Sequence, residues 1–157
     1  MSPSPADADD FGRLARPGPL ARARLALWTL PERLLPPARD RGAWGERWAA
    51  RLLRACGCAI LERNARPTRR GEIDLVARRR GVILFVEVKT RLDETYGRPL
   101  DAVDARKRAH LRKAAIHWLA QHDLREAPHR FDAVEVVGTP GHPPTLRWVQ
   151  RLRMPTR

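Results

Sequence analysis

Two neighbouring stretches of the chain carry the pattern of β-strands. Residues 72–77 alternate so that apolar side chains fall on one side, with two acids on the other. Residues 82–90 are rich in β-branched and aromatic side chains and contain neither Pro nor Gly. The four residues from Arg78 to Gly81 separate the two stretches, and Gly can take the positive φ that a tight turn needs. The pattern therefore predicts a β-hairpin.

The register of this hairpin decides which polar side chains meet. A loop of four residues places Asp74 opposite Phe85 and Glu72 opposite Glu87, so that Asp74, Glu87 and Lys89 share one face. Asp74 and Glu87 are then diagonal neighbours, roughly 7–8 Å apart at the backbone. Two carboxylates so placed suit Mg²⁺ or Mn²⁺, and Lys89 can hold a nucleophilic water or stabilise negative charge. The alternative is a structural hairpin whose acids pair with Arg and Lys.

A helix is predicted over residues 42–56, where small and apolar residues form one stripe. Glu46 lies on that stripe, and it makes either a salt bridge or a third carboxylate beside the hairpin. Trp44 and Trp48 lie on the other face, where they can stack on bases or fill space under the N-terminal segment.

The remaining elements follow in chain order: a short strand over 59–63, a basic loop over 64–70, a flexible loop over 92–102, a helix over 104–122, a strand over 131–137 and an edge strand over 145–150. The helix between the strands at 82–90 and 131–137 is long enough for a parallel crossover. Lys107 lies at the edge of the apolar face of the helix over 104–122. It either snorkels to the solvent or contacts a phosphate or the active site.

Residues 1–40 differ from the rest in composition. They hold half of the 14 Pro, and their six Arg and five acids nearly cancel, so the remaining residues carry almost all of the net charge of +13. The segment is predicted to be a disordered or partly helical extension, followed by a domain over 41–150 and a basic, frayed tail over 151–157.

The charge favours a polyanionic partner, because its excess is almost all Arg, whose fork geometry suits phosphate. The phosphate contacts are expected at Arg69, Arg70, Arg91 and Lys107. DNA is preferred to RNA as the partner, and a basic surface inherited from composition is the alternative.

Only two Cys occur, Cys56 and Cys58, which are too few for a disulfide framework or a zinc site and are interpreted as small buried thiols. The chain has no run of 18 apolar residues, and its first ten residues lack the apolar centre of a secretory signal. These features predict a cytoplasmic protein with no membrane partner.

The order Asp74, then Glu87-Val88-Lys89, resembles the signature of the PD-(D/E)xK nuclease superfamily. With Gly45-Glu46, Asn64, Gly71 to Leu75 and Arg130-Phe131-Asp132, the chain is similar to the YraN-type family of uncharacterised, endonuclease-like bacterial proteins. The resemblance covers about residues 41–150, and the 40-residue extension departs from the family pattern.

The resemblance implies an α/β fold with a restriction-endonuclease-like αβββαβ core, a mixed sheet flanked by helices, similar to archaeal Holliday-junction resolvases. It also implies a metal site from Asp74 and Glu87, Lys89 as the catalytic Lys and Glu46 as the helix carboxylate. Because resolvase-like enzymes are often dimers, a homodimer is an expectation. The function expected is Mg²⁺-dependent endonuclease activity on DNA, branched or repair intermediates included. The alternatives are a non-catalytic nucleic-acid-binding module with a relict site and an adaptor that docks through residues 1–40.

Overall fold

The computed structural model describes residues 14–15, 40–69, 71–93 and 105–154. The described elements are β1 (Leu14–Ala15), α1 (Arg41–Ala55), β2 (Ala59–Thr68), β3 (Gly71–Arg79), β4 (Val82–Arg91), α2 (Ala105–Gln121), β5 (His129–Val137) and β6 (Thr145–Val149). The predicted flexible loop over 92–102 lies largely outside the described residues. Among those residues, no helix is both long and apolar enough to cross a membrane.

The described strands form one mixed sheet in the order β1-β6-β5-β4-β3-β2. β4 and β5 run parallel and are joined through α2, as the crossover prediction required. The neighbouring pairs β2–β3, β3–β4 and β5–β6 are antiparallel. The predicted fold class is therefore confirmed: a mixed sheet flanked by helices, with the αβββαβ order of a restriction-endonuclease-like core.

Each face of the sheet is covered by one helix, which explains why its central strands are almost continuously apolar. On the α1 face, Trp44 and Leu53 pack against Leu84, Val86 and other apolar strand residues. On the α2 face, a second cluster is built around Phe85, Trp118 and their neighbours, the two rings meeting edge to face at 5.7 Å. Of the two alternatives for Trp44 and Trp48, stacking on bases is wrong, since their side chains are buried in the α1-side core.

The hairpin turn is shorter than its sequence suggests. Only Arg80 and Gly81 lie in the turn, both with positive φ (49° and 80°), as a type I′ turn requires. Val76, rather than Asp74, is therefore paired with Phe85, and the ladder ends at Leu75 and Val86. Continued by one step, this register brings Asp74 level with Glu87 instead of diagonal to it. The two-residue shift is even, so the shift by itself moves no residue of β3 to the other face.

β2 continues through the segment that was predicted to be a basic loop. The strand runs to Thr68 and includes Pro67, which β2 tolerates because it is the outermost of the described strands and pairs with β3 alone among them. Asn64 has a φ of 52°, and the alternation of the strand breaks at this residue. Arg63 reaches α1 on one face, whereas Ala65 packs on the α2 face.

Segments on either side of the main domain are attached to the sheet. Leu14 and Ala15 pair with β6, so part of the predicted extension belongs to the fold; the structure of residues 1–13 and 16–39 is outside the described ranges. At the other end, the amides of Arg151 and Leu152 donate to Asp132 and to the Phe131 carbonyl. The start of the tail is therefore attached rather than frayed.

A buried carboxylate holds this end of the fold together. The Asp132 side chain is fully buried and accepts hydrogen bonds from Arg130, the Trp148 indole at 2.9 Å and the Arg151 amide at 2.9 Å. The Arg130 guanidinium also lies over the Trp148 ring. These donors compensate the cost of burying the charge, so the role of Asp132 is structural.

We expect Asp132→Asn to lower the free energy of unfolding by about 3 kcal/mol, because it removes the charge that Arg130 and the Arg151 amide are placed to meet. Urea denaturation measures the change. The matched control is Asp123→Asn, which alters another Asp–Arg pair two residues apart, in which the Asp side chain is 97% exposed. The control should change stability by less than about 0.5 kcal/mol; equal effects would contradict the structural role of Asp132.

Candidate active site

Asp74 interrupts the pairing of β3 with β4. Ile73 and Val76 both pack on the α2 face and Leu75 packs on the α1 face, so the alternation of β3 breaks at this residue. The Asp74 side chain accepts the Val88 amide of β4 at Oδ2, at 2.6 Å. A side-chain oxygen thus takes the place of a strand carbonyl, which keeps the amide satisfied and holds the carboxylate against β4.

Glu87 and Lys89 follow Ile83 and Phe85 at the two-residue spacing of β4 and therefore face α2. The Glu87 side chain is 5% exposed, and its Oε1 receives two ammonium groups, Lys89 Nζ and Lys107 Nζ, each at 2.7 Å. Lys107 comes from the first turn of α2. The site thus joins the ends of β3, β4 and α2.

Burial and charge shift the proton affinities of this group. Burial, followed by the neighbouring Glu87, raises the pKa of Asp74 from 3.8 to about 7, and Glu46 adds to the effect. The Val88 amide and Lys89 oppose the shift without cancelling it. Burial also lowers the pKa of Lys89, and Lys107 lowers it further, although Glu87 counteracts both. Proton exchange in this cluster therefore becomes easier near neutral pH.

Glu46 lies near this cluster without joining it. It is half-buried in the first turns of α1, and burial raises the pKa of its carboxyl group against the hydrogen bond from Asn64 and the charge of Arg63. The negative charge of Glu46 is one of several causes that raise the pKa of Asp74. The structure thus brings Asp74, Glu87 and Lys89 together and leaves Glu46 on Asn64, so its role as a third ligand stays a prediction.

The donor set suits a hard cation only in part. Within the described ranges, no three His, Cys, Asp or Glu side chains are arranged to hold a metal ion. Asp74 and Glu87 still offer a pair of oxygens, because the hydrogen bonds and ion pairs of the described residues engage only Oδ2 of Asp74 and Oε1 of Glu87. Carboxylate oxygens are the ligands of Mg²⁺ and Mn²⁺, so these two residues fit such an ion.

The residues expected to contact nucleic acid fall partly at this end of the sheet. Arg91 ends β4, and the turn holding Arg69 precedes the antiparallel β3, so both exposed side chains lie at the same end as Lys89. Lys107 belongs to the cluster itself through Glu87. Arg70 lies outside the described residues. Phosphate binding by these residues stays a prediction.

Two features of the site were not predicted from the sequence. Arg63 donates to the Glu46 carbonyl at 3.3 Å, and the Asn64 side chain forms a hydrogen bond with the Glu46 carboxyl group. Arg63 and Asn64 both face α1 because the alternation of β2 breaks at Asn64. Glu135 is fully buried beside Lys89 in the parallel register, and Arg147 of β6 lies 3.7 Å from it. The alternation of β5 could have indicated Glu135, since it shares a face with Phe131.

Close packing sets the distance between α1 and β4. A Cβ atom at Gly45 would collide with the side chain of Thr90, so the first turns of the helix pack directly against this side chain of the strand. Gly45 separates the fully buried Trp44 from Glu46. The glycine therefore allows α1 to bring Glu46 near the end of β4, where Asp74 is held.

The raised pKa of Asp74 should make stability depend on pH. Below about pH 4 the carboxyl group is protonated in both states; between about pH 4 and 7 the unfolded chain loses the proton and the folded chain keeps it. The free energy of unfolding should therefore fall across this range relative to Asp74→Asn, by on the order of a few kcal/mol at pH 8. Urea denaturation of both proteins with a chelator present measures the difference, and a difference independent of pH would contradict the shift.

Comparison with known proteins places the chain in a family. The model of the uncharacterised protein family UPF0102 matches residues 45–136, which include every residue of the cluster. A UPF0102 protein of Nocardia farcinica is 48% identical over 105 residues, 67% of this chain and 82% of that protein. A UPF0102 protein of Trichlorobacter lovleyi is 44% identical over 109 residues, 69% of this chain and 85% of its own length. The chain therefore belongs to the UPF0102 family, as its resemblance to the YraN-type proteins predicted.

Proposed function

We propose that this protein hydrolyses phosphodiester bonds of nucleic acid, preferably DNA, with Mg²⁺ or Mn²⁺ bound at Asp74 and Glu87. The observation that carries the proposal is the Asp74 carboxylate fixed on the Val88 amide, beside a buried pair of Glu87 and Lys89. Structural acids in this fold are neutralised by donors, as Asp132 is, whereas Asp74 keeps a raised pKa. A buried carboxylate that its surroundings do not neutralise is typical of functional sites.

The residues divide the work of hydrolysis between them. Asp74 and Glu87 would hold the divalent cation, which supplies charge stabilisation at the scissile phosphate and lowers the pKa of water. Lys89, 16% exposed, is held by Glu87 at the edge of this pair, where its ammonium can meet a water or a phosphate oxygen. In the reaction, the water oxygen bonds to phosphorus and one P–O ester bond breaks. A proton leaves the water, and another must reach the departing oxygen.

The charge distribution supports a polyanionic substrate. The chain carries a net charge of +13, of which the first 40 residues contribute almost nothing. Exposed Arg69 and Arg91 lie at the end of the sheet that holds the site. A phosphate backbone crossing this end would meet both cationic side chains at the same end of the sheet as Lys89.

The non-catalytic binding module is the second candidate. Two observations favour it: two ammonium groups already occupy Glu87 Oε1, and the described residues offer no three-carboxylate centre. In that case, the same basic surface would bind nucleic acid without cutting it. Cleavage assays separate the two candidates, and the binding expected is the same in both.

We expect Lys89→Ala to reduce cleavage by about 10²–10³-fold, by analogy with the loss of one preorganised donor, and Asp74→Asn to abolish metal-dependent cleavage. Duplex binding should persist in both variants, because several Arg share that task. Lys113→Ala, an exposed Lys later on α2, is the matched control and should cut normally. If the wild-type protein cuts no linear, nicked, branched or RNA substrate with either metal, the nuclease proposal fails and the binding module remains.

Binding to duplex DNA should weaken steeply with salt, with a log–log slope of about −0.9 for each phosphate contacted. Arg69→Ala and Arg91→Ala should each reduce the slope by about one. Arg125→Ala is the control, because Arg125 is exposed and precedes β5, at the opposite end of the sheet. Fluorescence anisotropy at several salt concentrations measures the slopes. A slope independent of salt, or equal losses in all three variants, would contradict binding at the site end.

A further inference from the structure

Lys107 and Lys89 share one oxygen of Glu87 but differ in their freedom to leave it. Both ammonium groups lie 2.7 Å from Glu87 Oε1. The Lys89 side chain is 16% exposed, whereas that of Lys107 is 50% exposed and reaches the carboxylate from another element. A long, half-exposed side chain can swing into solvent without disturbing the core, so Lys107 is the ammonium group that can be displaced.

The position of Lys107 in its helix makes the contact replaceable. It lies in the first turn of α2, where Arg106 and Arg108 flank it and no acid is present. The N-terminus of a helix carries a partial positive charge, which disfavours cations there. The contact with Glu87 offsets this repulsion, and a divalent cation on Glu87 would weaken that contact.

The balance of charges in the site also favours departure of Lys107 when a divalent cation binds. When ionised, Asp74 and Glu87 carry two negative charges, which the ammonium groups of Lys89 and Lys107 match. A divalent cation added to this group would leave an excess of two positive charges in a largely buried site. Departure of Lys107 from Glu87 reduces that excess, and its charge becomes available to a phosphate of the substrate.

We infer that Lys107, which contacts Oε1 of Glu87 in the metal-free protein, is released when a divalent cation binds the remaining oxygens of Asp74 and Glu87, so that metal binding and release of Lys107 are one exchange. The inference rests on the proposed function, because it needs the cation at Asp74 and Glu87. Lys107 is then a positioning residue: it holds Glu87 in place before the cation binds and turns toward the phosphate afterwards.

The first test measures Mn²⁺ affinity by calorimetry in the wild type, in Lys107→Met and in Lys113→Met. Lys107→Met should bind Mn²⁺ at least about tenfold more tightly, since a single and a double charge about 6 Å apart repel by roughly that factor even in water. Lys113→Met removes the same charge farther along the same helix and should bind as the wild type does. With a chelator present, Lys107→Met should also have a lower melting temperature, which Mn²⁺ raises by more than it raises that of the wild type.

The second test needs no variant. Acetylation of the wild-type protein, followed by mass spectrometry, should modify Lys107 faster when Mn²⁺ is present, while the rate at Lys113 stays unchanged. Equal rates at Lys107 with and without saturating Mn²⁺ would overturn the exchange.

The outcomes separate this inference from the proposed function. If the wild type binds Mn²⁺ and Lys107→Met binds it no more tightly, the exchange is wrong and the proposed nuclease site stands. If neither protein binds Mn²⁺, the exchange and the metal site fail together. A lower melting temperature without tighter Mn²⁺ binding would make Lys107 only a structural link between α2 and β4.

Discussion

The hydrogen bond from the Val88 amide to Asp74 is the interaction on which the candidate site depends. A backbone N–H between two strands of a sheet must find an acceptor, and here β3 supplies a carboxylate. The ladder ends one pair before this point, so the strands separate where the acids lie. The same bond fixes Asp74 beside Glu87. A single departure from regular pairing therefore opens the site and positions its first carboxylate.

The fold contains two kinds of buried acid, and their contrast gives the site its chemistry. Asp132 receives a guanidinium, an indole and a backbone amide, so its charge is fully met by donors. Asp74 receives one amide and has Glu87 as its neighbour, and burial raises its pKa to about 7. The donors around Asp132 stabilise the sheet. The negative charge of Asp74 is only partly compensated, so that Asp74 favours binding a proton or a cation.

The sequence was sufficient for most of the architecture because the strong patterns are local. The crossover through α2 and the shared face of Glu87 and Lys89 follow from periodicities that tertiary packing leaves intact. The register of the hairpin was predicted incorrectly, since an Arg at positive φ in the turn, at residue 80, is uncommon and carries no clear signal. The shift was even, so it did not exchange the faces of β3, but the alternation breaks at Asp74, whose carboxylate binds the Val88 amide. The pairing of Lys107 with Glu87 joins two distant elements, and no local pattern indicates it.

Gly45 sets a limit on how this end of the molecule can vary. A side chain at this position would have to enter the space of Thr90, and the buried Trp44 would prevent α1 from sliding away along its axis. The helix would instead tilt about its packed half, and the displacement would be largest at its first turns, where Glu46 lies. A larger residue at position 45 is therefore compatible with the fold only if position 90 becomes smaller at the same time. Among related chains, the sizes of the side chains at positions 45 and 90 should therefore covary, because neither the helix nor the strand can change at this contact alone.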